Sequence, residues 1–336
     1  MMNDSIQSVI SSNAAITAIG TYVPERILTN ADLEKLVDTN DEWIVQRTGI
    51  QERHIAADDQ FTSHLCFAAV QNMIERYNIN VNDIDYIIVA TSTPDAVFPS
   101  VASQVQAHFG IENCGAADLQ AACAGFAAAI QLANGLLLSG AYRKVLVIGA
   151  ETLSKITDYS DRSTCILFGD GAGAFLMESS DDGAGDVVSM YSKTDGARGH
   201  LLYRSSLASA IGDHDIHTNG MIVQNGREVY RWAVSHVAEG VKQLMARSNL
   251  STEDIDWFIP HSANMRIIEA LCERTGFSLD QTLSSIKRFG NTSAASIPLA
   301  IDEAVKAGTL KQDQLMLLYG FGGGLTQAGI IIRWSL

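Results

Sequence analysis

Cysteine is scarce in this chain: five residues in 336, at positions 66, 114, 123, 165 and 272, an odd number with no C-x-x-C spacing. That excludes a disulfide framework and a cysteine-rich zinc site, and it reads as reduced thiols of a cytoplasmic protein. Proline occurs 5 times and glycine 27 times, which excludes proline-rich linkers and collagen-like repeats. No run of 18 residues is free of polar or charged groups, so no membrane-spanning helix is expected. Basic residues are in deficit: 23 Lys and Arg against 38 Asp and Glu leave a net charge of −15. Nucleic acid is therefore disfavoured as a partner, with room only for a local basic patch. The opening MMNDSIQSVISSNAA holds no Lys or Arg. It lacks the basic start of a signal peptide and is expected to form an N-terminal extension, residues 1–15.

Against these absences stand 47% hydrophobic residues, enough for a substantial core. Apolar β-rich runs alternate with helical segments, which predicts an α/β fold of layered sheets. Helices are expected over 62–77, from about Ser100, from Cys123 to about Gly140, and over 228–245, 265–274 and 294–307. Strands are expected over 84–90, 116–119, 145–148, 165–168, 172–177, 255–259, 315–319 and 329–334. The polar segment Ser179 to Gly185 is the expected boundary between halves 16–180 and 181–336. The halves echo one another. Asn82-Asp83-Ile84-Asp85-Tyr86 answers Glu253-Asp254-Ile255-Asp256-Trp257, and Ala121 to Gly125 answers Asn291 to Ala295. Two such halves face to face bring both small-residue turns to one cleft.

Three residues there can carry chemistry. Cys123, among Ala121, Ala122, Ala124 and Gly125, stands where a helix N-terminus lowers a thiol pKa and offers N–H groups to an oxyanion. A cysteine in such a bed also serves as a small core residue. His261 follows a strand, where it can relay a proton or donate to an oxyanion, or simply be satisfied within the core. Asn291 can polarise a carbonyl or cap a helix. Gly169 to Gly173 has the wrong spacing for a nucleotide loop and is expected to be a tight turn. His214 and His217, flanking Asp215, are expected in a polar loop, and no metal site is expected.

In this order and setting, Cys123, His261 and Asn291 resemble the Cys-His-Asn site of β-ketoacyl-acyl-carrier-protein synthase III. The resemblance includes Asp41-Glu42-Trp43-Ile44, Arg47-Thr48-Gly49-Ile50, Phe168 to Gly173, Gly290 to Ser296 and Phe321 to Gly324. It implies a thiolase fold, two duplicated α-β-α-β-α halves in a five-layered sandwich, and a homodimer. It implies decarboxylative condensation of an acyl-CoA with malonyl-acyl carrier protein, without a cofactor, in fatty acid biosynthesis. The backbone N–H groups of Cys123 and Gly323 would form the oxyanion hole. Thr39, Trp43, Arg47 and Arg162 match CoA-contacting positions of the family, as do Gly226, Tyr230, Ala263 and Asn264. Phe321 and the partner-donated Phe98 match the acyl pocket, and Arg266 and Arg231 the surface that receives the carrier protein. Ser262, Tyr230 and Gln327-Ala328 depart from the commoner family pattern. His261-Ser262-Ala263-Asn264 is similar to the second synthase III of Gram-positive bacteria, which hints at branched primers. The rival readings are a thiolase-fold acyltransferase that does not decarboxylate, a cysteine hydrolase and a silent binding module.

Overall fold

The computed structural model describes residues 12–180 and 185–336. Most of the expected extension, and residues 181–184 of the expected boundary, lie outside the described residues. Ala14 and Ala15 already belong to the first strand. The first sheet comprises β1 (Ala14–Tyr22), β2 (Tyr86–Ala90), β3 (Gly115–Leu119), β4 (Lys144–Thr152) and β5 (Asp170–Ser179). They pair in the order β1-β5-β4-β2-β3, parallel at β4–β2 and β2–β3 and antiparallel elsewhere. The second comprises β6 (Val187–Thr194), β7 (Trp257–Pro260), β8 (Leu315–Gly322) and β9 (Thr326–Arg333), in the order β6-β9-β8-β7. Only β7–β8 is parallel, and a lone parallel bridge from Phe258 to Thr282 stands where β3 stands in the first sheet. The echo in sequence is thus a duplication of topology.

Period-two alternation sends each strand's side chains to two different layers. On β4, Val145 and Val147 face the middle of the molecule while Leu146, Ile148 and Ala150 face outward. On β8, Met316 and Leu318 face the middle, and Leu317 and Tyr319 face outward. Helices α1 (Asp41–Thr48), α2 (Thr62–Tyr77), α3 (Val101–Phe109), α4 (Gly125–Leu138), α5 (Gly226–Trp232), α6 (Ala238–Ser248), α7 (Met265–Thr275) and α8 (Ser296–Lys306) complete the frame. α2 and α3 cover the outer face of the first sheet, α4 and α8 fill the space between the sheets, and α5 to α7 cover the second. Five layers result. Fully buried Phe126, Phe175 and Ile301 belong to the middle layer, each contributing roughly 1.5–3 kcal/mol by burial.

Three expectations are corrected. Residues 165–168 are not a strand: Arg162–Cys165 is a short helix capped by Asp161, and only Phe168 makes a bridge, to Asn291. The Ile166 carbonyl is taken instead by the buried Arg53 guanidinium at 2.5 Å. The segment Gly169 to Gly173 is no turn: Gly169 leads straight into β5, which starts at Asp170, and the Asp170 carboxylate accepts from Ala56 N at 2.7 Å and Ser154 N at 2.8 Å. The 228–245 helix is broken by a π-turn over Ala233–Val237.

Candidate active site

The nucleophile turn is built by close approach. Ala122–Ala124 form a 3-10 turn that runs directly into α4, entered by Ala122 at φ 44°. β8 passes so near that a Cβ on Gly322 would lie 2.9 Å from Cys123 Cβ and 3.0 Å from its Sγ. Only glycine fits there. The second half repeats the device: Ser293–Ala295 form a 3-10 turn entered by Ser293 at φ 48°, leading into α8. Non-glycine residues at positive φ are uncommon and cluster at functional sites.

Cys123, His261 and Asn291 all line one cleft of about 250 Å³, together with Gly322, Gly323 and Phe321. Here the electrostatics depart from the sequence reading. Burial pushes the Cys123 thiol up to about 12, and the charge of Glu151 pushes the same way. The neighbouring Ser293 hydroxyl and the backbone N–H pull down, but by less. Burial thus opposes the lowering expected from a helix N-terminus.

His261 is buried, with Nδ1 at 2.7 Å from Ser296 Oγ. Ser262 N already donates to that oxygen at 3.3 Å, so the Ser296 proton is free to go to Nδ1. The ring then carries its own proton on Nε2. Burial lowers its pKa to about 3, so the imidazole is neutral. Phe321 meets the ring edge-on at 5.4 Å. The Asn291 Oδ1 accepts from Ser293 N at 2.9 Å, leaving its NH₂ to donate. That bond caps the second turn, so the capping role and an exposed amide coexist.

Of the expected CoA positions, Gly226, Tyr230, Ala263 and Asn264 line the cleft. Thr39, Trp43, Arg47 and Arg162 do not. They gather beside Ser163, a lining residue, with the Arg162 and Arg47 guanidiniums 5.0 and 5.6 Å from the Trp43 ring centroid. Arg162 also donates to the Asp38 carbonyl at 2.9 Å, and Thr39 Oγ1 is buried without a partner. Arg266 and Arg231 are exposed, adjacent in sequence to the mouth, and Arg231 is paired with Glu228 at 2.7 Å. Phe98 stands outside its own chain's cleft, 84% exposed. Sequence reasoning missed Ser293, Ser296 and Glu151 and held Gly322 only as part of the Phe321 to Gly324 run. Glu151 had one signal, a lone acid at the end of the apolar run that starts at Val145.

Two family models match the chain: 3-oxoacyl-[acyl-carrier-protein] synthase III over residues 117–196 and its C-terminal counterpart over 245–334. The chain is 56% identical over 325 residues to β-ketoacyl-[acyl-carrier-protein] synthase III 2 of Halalkalibacterium halodurans, covering 97% of this chain and 98% of that one. It is 54% identical to the protein of that name from Bacillus subtilis, covering 97% and 100%. The crystal structure of a synthase III from Thermus thermophilus superposes with a TM-score of 0.90 at 43% identity, covering 96% and 99%. These relatives make the five-layered sandwich a thiolase fold and the protein an enzyme of the acyltransferase class. The chain belongs to the β-ketoacyl-acyl-carrier-protein synthase III family.

Proposed function

We propose that this enzyme primes fatty acid biosynthesis in the cytoplasm, as a homodimer, by condensing an acyl-CoA with malonyl-acyl carrier protein. The observation that carries this reading is a thiol, a neutral imidazole and a free side-chain amide on one cleft. Cys123 Sγ attacks the primer thioester, the backbone N–H groups of Cys123 and Gly323 hold the oxyanion, and CoA leaves. The malonyl thioester oxygen then lies between His261 Nε2–H and the Asn291 amide. Loss of carbon dioxide leaves its electron pair as an enolate, whose charge these two donors bind. The enolate carbon attacks acyl-Cys123, and collapse expels the sulfur to give 3-oxoacyl-acyl carrier protein. A neutral imidazole suits this role, since it donates a hydrogen bond without protonating the carbanion.

CoA binding follows the same logic. Trp43 stacks on adenine once Arg162 lifts from its face, and Arg162 and Arg47 pair with phosphates. The unpaired Thr39 hydroxyl gains a partner, and pantetheine runs past Gly226, Tyr230, Ala263 and Asn264 to Cys123. Arg266 and Arg231 receive the acidic carrier protein. Phe98, exposed on its own chain, enters the partner subunit's acyl pocket beside Phe321. The His261-Ser262-Ala263-Asn264 sequence favours a small branched primer.

A mass-spectrometric competition tests this. The protein meets acetyl-, isobutyryl-, isovaleryl-, 2-methylbutyryl- and hexanoyl-CoA together with malonyl-acyl carrier protein, beside a Cys123→Ala control. The expected result is a branched 3-oxoacyl product that vanishes in the control. Acylated Cys123 without condensation would make the protein a plain acyltransferase.

A further inference from the structure

Glu151 is a fully buried acid beside the nucleophile, unused in the reaction above. It stands seven residues after the first residue of β4, as Gly322 stands seven after the first of β8. At the Gly322 place the missing side chain admits Cys123; at the Glu151 place a carboxylate faces the second turn. Thr93 Oγ1 donates to it at 2.7 Å, Ser92 N at 3.1 Å, Thr91 Oγ1 at 3.3 Å and Ser293 Oγ at 3.1 Å. All four are neutral donors. The titratable groups facing it are Cys123 from the nucleophile turn and Cys66 from α2, with Asp95 and Asp118 acting on the same Cys66 thiol. Burial pushes Glu151 up to about 7, so it changes protonation near neutral pH.

Ser293 stands between the two groups: it lines the cleft with Cys123, and its hydroxyl donates to Glu151. A hydroxyl accepts on its lone pairs while donating its one proton. The thiol can therefore donate to Ser293 Oγ while Ser293 donates to Glu151. Nothing else named in the site can take the thiol proton: His261 already bears one on Nε2 with Nδ1 occupied by Ser296, and an amide is no base.

We propose that Glu151, acting through Ser293, takes the Cys123 proton as the sulfur attacks the primer and returns it when condensation expels the sulfur. In the first half-reaction the S–H bond breaks, an S–C bond forms, Ser293 passes its proton to Glu151 and receives the thiol's, and CoA leaves as a thiolate that is protonated by water. In the second, malonyl carboxylate becomes carbon dioxide and the enolate displaces Cys123 sulfur. Glu151 gives up the proton through Ser293, restoring thiol and carboxylate. Charge balances, because the anion lost from malonate reappears on Glu151. The carboxyl is neutral while the carbanion forms nearby. Glu151 touches no substrate and is a positioning residue.

This rests on the acyl-enzyme reading above, and single-turnover acylation separates the two. Native protein, Glu151→Gln, Glu151→Asp and Ser293→Ala are mixed with isobutyryl-CoA from pH 5.5 to 9, quenched, and acyl-Cys123 is read by intact mass. CoA affinity and thermal unfolding are measured beside it. The native rate is expected to rise with pH and level near 7. Glu151→Gln and Ser293→Ala are expected to be slower at pH 7 by about 10²-fold, of the order of one lost proton acceptor. Their rates should still climb at pH 9 while CoA affinity holds, and Glu151→Asp should recover the levelling. Ser293→Ala keeps the other three donors to Glu151, so the test survives if Glu151→Gln does not fold. Native rates and pH limb in both variants overturn the relay, as does a rate loss matched by lost CoA affinity or stability. No acylation of the native protein overturns the acyl-enzyme reading itself, and the relay with it.

Discussion

Protonation state is the property of single residues that decides this site. Cys123, His261 and Asn291 were legible as a group from their neighbours, and the fold brings all three to one cleft. Their ionisation was not legible, because it depends on burial set by strands far away in sequence. His261 gives a direct check. Its folded pKa of about 3 lies below the ordinary 6.5, so between these values the unfolded chain binds a proton that the folded one refuses. Stability is full above pH 6.5 and falls as pH drops toward 3, by up to about 1.4 kcal/mol per pH unit. Thermal melts of native protein against His261→Asn, which keeps an acceptor for Ser296, should show that the slope belongs to the histidine. Asn291 gives a second. Asn291→Asp places a carboxylate where enolate charge develops, so condensation should fall about 10²–10³-fold while Cys123 acylation by acyl-CoA falls far less. Equal losses in both half-reactions would remove the amide from the decarboxylation step.

Elements were read well where periodicity was strong and poorly where contacts outside the segment decide. The helix at 62–77 has the bounds expected from its apolar spacing. The 165–168 run misled because its apolar residues are covered for different reasons: Cys165 and Ile166 pack with Leu33 and Ile44, Phe168 with Leu153 and Ile156, and Leu167 lines the cleft. The glycines at the end of β8 entered the sequence reading only as part of the Phe321 to Gly324 motif, and their demand is steric. A methyl at Gly322 would lie 3.1 Å from Cys123 N as well as against its side chain. Gly322→Ala should therefore push the nucleophile turn off β8 and cut acylation by at least about 10²-fold. Rapid-quench acylation beside a melting curve checks this: normal acylation would mean the turn has slack that the contact distances deny.

At the scale of the whole molecule the two halves hold each other's turns. Gly320 on β8 would place a Cβ 2.7 Å from Ala124 Cα, and Gly149 on β4 would place one 2.5 Å from the Ala294 carbonyl oxygen. α4 and α8, one from each half, share a single middle core. Neither half has a finished surface without the other. Calorimetry should accordingly show one cooperative transition whose calorimetric and van't Hoff enthalpies agree, and either half expressed alone should not fold. Two resolved transitions would contradict this. The duplication has a consequence for descent as well. Ala294 occupies in the second turn the place Cys123 occupies in the first, but it is packed in the shared middle core while Cys123 lines the cleft. One copy of a duplicated turn has become packing and the other chemistry.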